Sequence, residues 1–364
     1  MKRAGRPEME QQSTPITESP PESALARLMR YLERTGRAVA QERITALTPD
    51  ASVRAYFRLP WCGTTAVAAV YPEPFDPDEQ PFLDITRLFV EAGLPVPQVI
   101  AVDGEAGIIV QEDLGDRQLR AVLEVASEEE REQRLEEAIE LIARIQAATD
   151  LAAKRNSICS RVAFDEAKLL WELEFFHQHY FGSLRGEKLK ADEERRFKDE
   201  LAELARELAQ RPRVLCHRDF HVSNLMVDRQ GLLRIIDHQD ARMGPASYDL
   251  VSLLLDRQQA PPSLAELRER RLFFLEARAA RGLPFIDPDE FAREFRLTAV
   301  QRGLKAVGTF SCQTAVHGRG KVYARFIRPT LEIVLQALDW LDRFPEIRRQ
   351  IAARVADPVA AEAV

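Results

Sequence analysis

The segment 214–240 constrains this chain more than any other part of it. It contains His217-Arg218-Asp219, then Asn224 after four intervening residues, and then Asp237 at the end of an apolar run. Residues 228–231, Asp-Arg-Gln-Gly, separate two short apolar runs, which is the pattern of a β-hairpin. A hairpin would bring the three polar side chains together, so the fold has to place a cluster of carboxylate and amide oxygens beside buried strands.

This cluster has the composition that phosphoryl transfer to an alcohol requires. An acceptor hydroxyl needs a carboxylate within hydrogen-bond reach, and a triphosphate needs a Mg²⁺ ion held by oxygen ligands. Asp219 is the candidate catalytic base, and Asn224 and Asp237 are the candidate Mg²⁺ ligands. A lone His-x-Asp is common in proteins, but the spacing of all three groups is that of a kinase catalytic loop and favours phosphoryl transfer over a structural turn.

Length and charge limit the remaining possibilities. A chain of 364 residues that is 45% apolar can bury a large core and is expected to divide into two lobes. Its net charge of −7 argues against nucleic acid or an anionic membrane as a partner, because both would require clustered Lys and Arg. We expect a monomer that acts on a small molecule.

The cysteines and the N-terminal residues indicate a cytoplasmic protein. The four cysteines are far apart in sequence, with no CxxC and no zinc-ligand spacing, so they are expected to be reduced. Residues 1–22 are polar, lack the apolar core of a signal peptide and are predicted to be a disordered tail. No stretch is long and apolar enough to span a bilayer.

The periodicity along the chain predicts an α+β protein with two lobes. Residues 23–112 form a small β-rich N-lobe, 113–116 a hinge, 117–355 a larger, mainly helical C-lobe that contains the catalytic hairpin 214–240, and 356–364 a C-terminal tail. The predicted N-lobe strands are 44–47, 55–59, 66–71, 98–102 and 108–111, with helices at 23–36 and 80–92. The predicted C-lobe helices are 127–148, 166–179, 193–210, 264–281, 288–307 and 324–343.

Several motifs together resemble one enzyme family. They are His217-Arg218-Asp219 with Asn224, Ile236 to Ala241, Gly244-Pro245 and Tyr248 to Val251. These look like the aminoglycoside phosphotransferase and choline kinase family, whose members share the protein-kinase-like fold. Further stretches are similar to the kinases that phosphorylate N-acetylmuramate and N-acetylglucosamine at the anomeric carbon in cell-wall recycling. They are Asp50 to Ser52 with Tyr56 to Arg58, Pro95 to Pro97, Glu112 to Asp116, Ile236 to Ala241, and Gln301-Arg302 with Leu304-Lys305, Gly308 and Phe310.

The resemblance implies a bilobal protein-kinase-like fold, ATP and Mg²⁺ as cofactors, and an amino sugar as the acceptor. By the same resemblance, the N-lobe binds the nucleotide and the backbone near Glu112 contacts adenine. It also implies that Asp219 is the base and that Asn224 and Asp237 hold the metal.

The chain departs from the protein-kinase pattern where the phosphates would bind. Protein kinases use a Gly-rich loop and a lysine on the third strand, but no lysine occurs between Lys2 and Lys154. The phosphates would then be held by arginine, by backbone N–H groups or by metal, and Arg54, Arg58 and Ser52 are the candidates. Arg54 and Arg58 share one face of a predicted strand, so either both point into the cleft or both face solvent.

The other polar residues of the hairpin region have simpler interpretations. His217 is expected to be structural, Arg218 to pair with a nearby acid, and Asp249 to cap the helix that follows while orienting the catalytic loop. Asp240 is either a partner of the catalytic residues or a substrate contact. His238 stands where an aromatic residue is usual in the family, so it is a packing substitution or a polar contact to substrate or metal-bound water.

Three residues are candidates for contacts with the acceptor. Trp171 lies in the lobe where the family binds acceptors, and it either stacks on a sugar or belongs to a core-facing stripe. Arg302 and Lys305 would suit the carboxylate of N-acetylmuramate, whereas a cationic aminoglycoside or choline would need an acidic or aromatic pocket. Four functions stay open: an amino-sugar kinase acting at the anomeric hydroxyl, an aminoglycoside- or choline-type alcohol kinase, a pseudokinase that binds nucleotide or a partner protein, and a structural helical adaptor. The last would leave the polar hairpin unexplained.

Overall fold

The computed structural model describes residues 23–47, 54–256 and 261–357. The predicted N-terminal tail, most of the predicted C-terminal tail and the turn that contains Ser52 lie outside these ranges. Within them, no helix combines the length and the apolar character needed to cross a membrane.

The N-terminal region is an antiparallel sheet of five strands in the order β1-β2-β3-β5-β4. The strands are β1 (Thr45–Leu47), β2 (Ala55–Trp61), β3 (Thr64–Val70), β4 (Val99–Asp103) and β5 (Ile108–Glu112). Two helices accompany them, α1 (Ala24–Arg34) and α2 (Pro81–Glu91). Leu28 and Leu32 of α1 pack against Phe57 and Leu59, alternate residues of β2, so the intervening residues of β2 face the opposite side of the sheet.

The chain crosses from the sheet to a helical region through residues 113–116, which we propose as the hinge. The helices are α3 (Leu119–Val125), α4 (Glu128–Ala147), α5 (Thr149–Lys154), α6 (Ile158–Arg161), α7 (Glu166–Phe176), α8 (Ala191–Ala209), α9 (Tyr248–Leu255), α10 (Leu264–Ala279), α11 (Pro288–Ala315), α12 (Gly320–Tyr323), α13 (Ile327–Leu341) and α14 (Pro345–Ala356). The longest, α11, packs against α7, α9 and α13 and is the centre of the helical core. This arrangement confirms the predicted α+β fold with a β-rich N-terminal part and a mainly helical C-terminal part.

Several predicted helix boundaries are wrong. The helix predicted to end at residue 307 continues to Ala315, because its apolar face stays buried through Phe310. The helix predicted over 324–343 starts with a 3₁₀ turn, and α13 begins only at Ile327. The helix predicted to run to residue 179 changes at His177 into a π-helical segment that ends at Leu184.

Four small strands carry the segment 214–240 and its surroundings. Strands β7 (Leu225–Val227) and β8 (Leu233–Ile235) form the predicted hairpin. Strand β6 (Arg213–Cys216) pairs with β9 (Arg242–Pro245), a partner that the sequence did not reveal because its short run contains glycine and proline. The hairpin is tied to the segment before β4 by a hydrogen bond from the Ile235 N–H to the Pro95 carbonyl (2.8 Å).

Helices α7 and α11 cross where a glycine allows the two backbones to meet. A Cβ atom added to Gly308 of α11 would lie 2.7 Å from the Cα and 2.9 Å from the backbone nitrogen of Phe176. Phe176 is fully buried at this crossing. Since backbone atoms cannot move aside as a flexible side chain can, this position accepts only glycine without a shift of the helices.

We therefore expect G308A to destabilise the protein by about 1–3 kcal/mol, because the added methyl group overpacks the crossing of α7 and α11. Urea unfolding followed by circular dichroism measures the change. The matched control is G182A, since a Cβ at Gly182 meets nothing within 4 Å. Equal stabilities for the two variants would contradict this explanation of the glycine.

Candidate active site

A cavity of about 410 Å³ lies between the sheet and the hairpin. Val67 and Ala69 of β3 line it from above, and Met226 and Ile236 line it from below. The main chain from Gln111 to Leu114 forms one end. The other end is polar and is lined by Arg54, Asn224, Asp237 and Gln239. The cavity thus has apolar walls on two sides and a charged end.

Asn224 connects the three residues that the sequence singled out. Its Nδ2 donates to the backbone carbonyl of Asp219 (2.9 Å) and to Oδ2 of Asp237 (3.4 Å). These bonds use the amide nitrogen, so the carbonyl oxygen of Asn224 remains to bind a cation. The hairpin therefore brings the candidate base and the two candidate metal ligands to one end of the cavity.

Two residues of this site have the left-handed backbone conformation that side chains other than glycine rarely adopt. Arg218 has φ of 86° and Asp237 has φ of 62°. Each such residue costs roughly 1–3 kcal/mol unless its surroundings hold it in place. His217 precedes Arg218, and its Nε2 lies 2.9 Å from the backbone carbonyl of Ile236, the residue before Asp237. His217 therefore connects the two strained positions.

Asp249 holds the backbone of the loop that contains Arg218 and Asp219. Its carboxylate accepts hydrogen bonds from the backbone N–H groups of His217 (2.6 Å) and Arg218 (3.0 Å). Burial raises the pKa of this carboxyl, and the neighbouring His217 and the two N–H groups oppose that rise. The prediction that Asp249 caps its helix was wrong: Ser247 occupies the N-cap position of α9, and Asp249 lies in the first turn with its carboxylate directed at the loop.

Asp219 lies among three cations. Its Oδ1 is 3.6 Å from Lys305 Nζ and 3.6 Å from Arg302 Nη2, and its Oδ2 is 3.7 Å from Arg218 Nε. Burial would raise the pKa of the Asp219 carboxyl, but these positive charges outweigh burial and hold the pKa well below its ordinary value. The carboxylate is therefore ionised, in the form that can accept a proton, at any pH at which the protein would work.

Arg302 and Lys305 occupy different positions although both lie near Asp219. Arg302 is buried, and its guanidinium donates to the carbonyl of Arg218 (2.7 Å), to Ser252 Oγ (2.6 Å) and to Asp256 (3.3 Å). Its donors are thus used to position the catalytic loop. Lys305 is more exposed and contacts the Asp219 carboxylate from the open side.

Both candidate phosphate-binding arginines line the cavity, but they pair with different groups. Arg54 lies at the polar end of the cavity, with Nη2 3.5 Å from Asp237 Oδ1 and with its guanidinium carbon 5.6 Å from the ring centres of both Tyr56 and Tyr71. Arg58 instead pairs with the hinge, at 2.9 Å from Asp113 and 2.8 Å from Asp116.

Arg234 fixes Glu112, the candidate adenine-contact residue, although the sequence gave no reason to select it. Its guanidinium donates to both carboxylate oxygens of Glu112 (2.6 and 3.1 Å) and to Asp228 in the hairpin turn (3.1 Å). Glu112 ends β5 and Arg234 lies on β8. This pair therefore joins the sheet to the hairpin at the end of the cavity formed by Gln111 to Leu114.

His238 packs against α2 instead of facing the cavity's polar end. Its fully buried ring stacks against Phe82 (4.9 Å between ring centres) and Phe89 (5.4 Å). Its Nε2 lies 2.7 Å from Thr86 Oγ1, which itself donates to the Phe82 carbonyl, so the imidazole is the donor to Thr86. Burial lowers the pKa of His238 to about 3, which keeps the ring neutral.

The remaining candidates are Asp240 and Trp171. Asp240 forms an ion pair with Arg218 (2.9 Å) and lies near Arg242. Trp171 is 55% exposed, so it does not belong to the core-facing stripe of α7, whose buried members include Leu173 and Phe176.

The donor set fits a magnesium ion that shares its ligands with phosphate. Over the described ranges, no group of three or more His, Cys, Asp or Glu residues is arranged to hold a metal ion by itself. Asn224 and Asp237 provide hard oxygen donors of the type that Mg²⁺ prefers, and Mg²⁺ at nucleotide sites takes its other ligands from phosphate and water.

Comparison with known proteins places this geometry in a family. Residues 43–283 match the model of the phosphotransferase enzyme family. A protein of Neisseria meningitidis serogroup B named N-acetylmuramate/N-acetylglucosamine kinase is 33% identical over 272 residues, which cover 74% of this chain and 78% of that protein. A protein of Pseudomonas aeruginosa with the same name is 30% identical over 280 residues, covering 77% and 79%.

The fold has solved counterparts as well. The structure of amicoumacin kinase in complex with AMP-PNP, Ca²⁺ and amicoumacin superposes with a TM-score of 0.56 at 17% identity, covering 83% of this chain and 92% of that one. The match confirms the predicted architecture, and the sequence relatives confirm the family resemblance.

Replacing His238 by phenylalanine should change how stability depends on pH. The pKa of this histidine is about 3 in the folded protein, whereas an unfolded histidine titrates near pH 6.5. The unfolded chain therefore binds a proton that the folded protein does not, so stability falls as the pH falls from about 6.5 towards about 3. At pH 5 this loss is about 2 kcal/mol.

H238F has no histidine to protonate at this position. As the pH falls from 8 to 5, its free energy of unfolding should therefore rise by about 2 kcal/mol relative to that of the natural protein. Urea unfolding of both proteins at the two pH values measures the difference. A stability difference that is the same at both pH values would contradict a buried neutral imidazole.

Proposed function

This chain belongs to the phosphotransferase enzyme family, and on that premise we propose that it transfers the γ-phosphoryl group of ATP to the anomeric hydroxyl of N-acetylmuramate or N-acetylglucosamine. The relatives' names support these acceptors. The observation that carries the proposal is the link through Asn224, which joins Asp219 to Asp237 at the polar end of the cavity. This link sets the candidate base beside the candidate metal site, as in-line transfer requires.

Asp219 acts on the acceptor hydroxyl. The bond between the γ-phosphorus and the oxygen of the ADP leaving group breaks while a bond to the sugar oxygen forms, and the hydroxyl proton passes to the Asp219 carboxylate. The surrounding cations lower the pKa of Asp219 and so make it a weak base. A weak base suits the anomeric hydroxyl, which is more acidic than other sugar hydroxyls because the ring oxygen withdraws electrons from its carbon.

The nucleotide is held by both regions of the protein. Val67 and Met226 provide opposite walls of the slot for adenine, and the main chain from Gln111 to Leu114 provides its hydrogen-bonding edge. Asn224 and Asp237 hold Mg²⁺, which neutralises charge on the phosphate oxygens when it is bound.

Arg54 holds the phosphates of ATP, as a lysine does in protein kinases. Its position 3.5 Å from Asp237 Oδ1 sets a permanent positive charge beside the candidate metal site. Arg58 is engaged by Asp113 and Asp116, so we assign it to the hinge and not to the phosphates. Ser52 remains a candidate phosphate contact that lies outside the described ranges.

The charges around Asp219 favour a neutral or acidic sugar over a cationic acceptor. Arg218, Arg302 and Lys305 all lie within 4 Å of its carboxylate. A polycationic aminoglycoside or a choline would approach these positive charges at a cost that a neutral or acidic amino sugar does not have.

We expect D219N to lower kcat for both amino sugars by about 10²- to 10⁴-fold, because an amide cannot accept the hydroxyl proton. Turnover is measured with Mg²⁺-ATP by release of ADP and by ³¹P NMR of the sugar 1-phosphate. The control D339N changes a surface aspartate that pairs with Arg348 on α14 and should keep full activity.

Each other result has a definite meaning. Full activity in D219N would remove this residue as the base. Binding of ATP without turnover of any sugar would favour a nucleotide-binding pseudokinase, and turnover of an aminoglycoside or choline alone would favour the other alcohol kinases.

We expect R54A to lower kcat/KM for ATP by about 10- to 100-fold, because the variant loses charged hydrogen bonds to phosphate oxygens. Steady-state kinetics with ATP as the varied substrate measure the loss. The control R37A removes an arginine that stacks on Trp61 outside the cavity, and it should have ordinary kinetics. Unchanged ATP kinetics in R54A would exclude Arg54 from the phosphate site.

A further inference from the structure

Lys168 and Trp171 form an exposed ledge on α7, and Lys168 lies within electrostatic range of Arg218 in the catalytic loop. The ammonium of Lys168 lies 4.0 Å from the centre of the Trp171 ring and 3.5 Å from Oε1 of Glu172. Trp171 is 55% exposed and the Lys168 side chain 27% exposed, whereas Glu172 beneath them is buried. The ammonium covers one face of the indole. The exposed remainder of the ring and the ammonium together suit a pyranose ring with an acidic substituent.

The ledge is fixed to the catalytic loop through two contacts. Glu172 accepts a hydrogen bond from Gln301 Nε2 on α11 (2.9 Å). The next residue on α11, Arg302, donates to the Arg218 carbonyl in the catalytic loop (2.7 Å). The position of Lys168 relative to Asp219 is therefore set by packed groups and not by a mobile surface side chain.

Positive charge is in excess around the ledge. Burial lowers the pKa of Lys168, and the nearby cations Arg218 and Arg242 lower it further, while Glu172 opposes the shift. Lys168 pairs with Glu172, and Arg218 and Arg242 share the single carboxylate of Asp240, so three cations face two anions. Asp219 also lies near Arg218, but Arg302 and Lys305 are beside it. A carboxylate bound here would relieve the repulsion among Lys168 and the two arginines.

Of Lys168, Arg302 and Lys305, Lys168 is the one whose position suits such a carboxylate. Arg302 uses its donors on the protein, and Lys305 lies beside Asp219, where the reacting hydroxyl must be. An ammonium has three donors, so Lys168 can keep its contact with Glu172 and still bind a carboxylate. The acidic group of N-acetylmuramate is attached to a ring carbon other than the anomeric one, and so it must bind away from the base.

We propose that Lys168 and Trp171 form the subsite for the acidic side group of the sugar and so determine the preference for N-acetylmuramate over N-acetylglucosamine. The inference rests on the function proposed above. In this subsite, the indole ring of Trp171 supports the sugar ring and the Lys168 ammonium pairs with the carboxylate. The neutral sugar has no group for Lys168 and is held by the ring contact alone.

The test compares K168M, K168R and the natural protein on both sugars. We expect K168M to lower the ratio of kcat/KM for N-acetylmuramate to that for N-acetylglucosamine by about 10- to 100-fold, mainly through KM for the acidic sugar, because one charge-assisted hydrogen bond is lost. K168R should restore most of the ratio. K198M, on the outer surface of α8 where Lys198 pairs with Glu194, is the matched control and should leave the ratio unchanged.

K168M leaves the buried Glu172 without its ion-pair partner and could fold poorly, so the double variant K168M/E172Q is measured as well. The same fall in the ratio in the double variant supports the subsite. An unchanged ratio in a folded variant, or an equal loss on both sugars, overturns it while leaving the proposed function intact. Absence of activity on either sugar in the natural protein would overturn both.

Discussion

The geometry of this site depends on one buried carboxylate. Asp249 accepts hydrogen bonds from two successive backbone N–H groups, of His217 and Arg218, and so holds the catalytic loop in a conformation that the chain would not otherwise keep. Without that contact, the positive φ at Arg218 would relax, since nothing in an isolated loop compensates for its strain. The position of Asp219, and with it the access of a hydroxyl to its carboxylate, follows from a residue that touches neither substrate nor metal in the proposed reaction.

The β-rich and helical parts meet through side chains of different kinds. At the end of the cavity formed by Gln111 to Leu114, the contact is ionic, between Arg234 and Glu112. Near the metal ligands it is aromatic, because His238, the residue after Asp237, is stacked between Phe82 and Phe89 of α2. Helix α2 therefore contacts the residue next to the candidate metal ligand. A shift of the helix would move His238 and, through one peptide bond, Asp237.

The sequence predicted most of what depends on local spacing. The five strands of the sheet and the hairpin that unites Asp219, Asn224 and Asp237 could be identified because alternation and turn residues are local signals. What could not be predicted depends on long-range packing. The role of Asp249 is an example. An acid at the start of an apolar helix predicts a cap, and only the folded structure shows that its carboxylate instead accepts from the two residues that follow β6. Arg234 and the partners of His238 were missed for the same reason, because their contacts join residues that are 122 and 152 positions apart. Trp171 was ambiguous because an exposed and a buried aromatic residue look alike in a helical pattern.

The lack of lysine between Lys2 and Lys154 has a chemical consequence. Arginine stays protonated and does not react with acylating reagents at neutral pH. Nucleotide analogues that label kinases by acylating an amine beside the phosphates would meet a guanidinium at Arg54. Lysine amines do lie near the catalytic loop, at Lys305 and Lys168. The lowered pKa of Lys168 leaves more of its amine unprotonated, and so reactive, than an ordinary lysine has at the same pH. A reagent that acylates amines is therefore expected to label this protein beside the candidate base and not at the phosphate site proposed for Arg54.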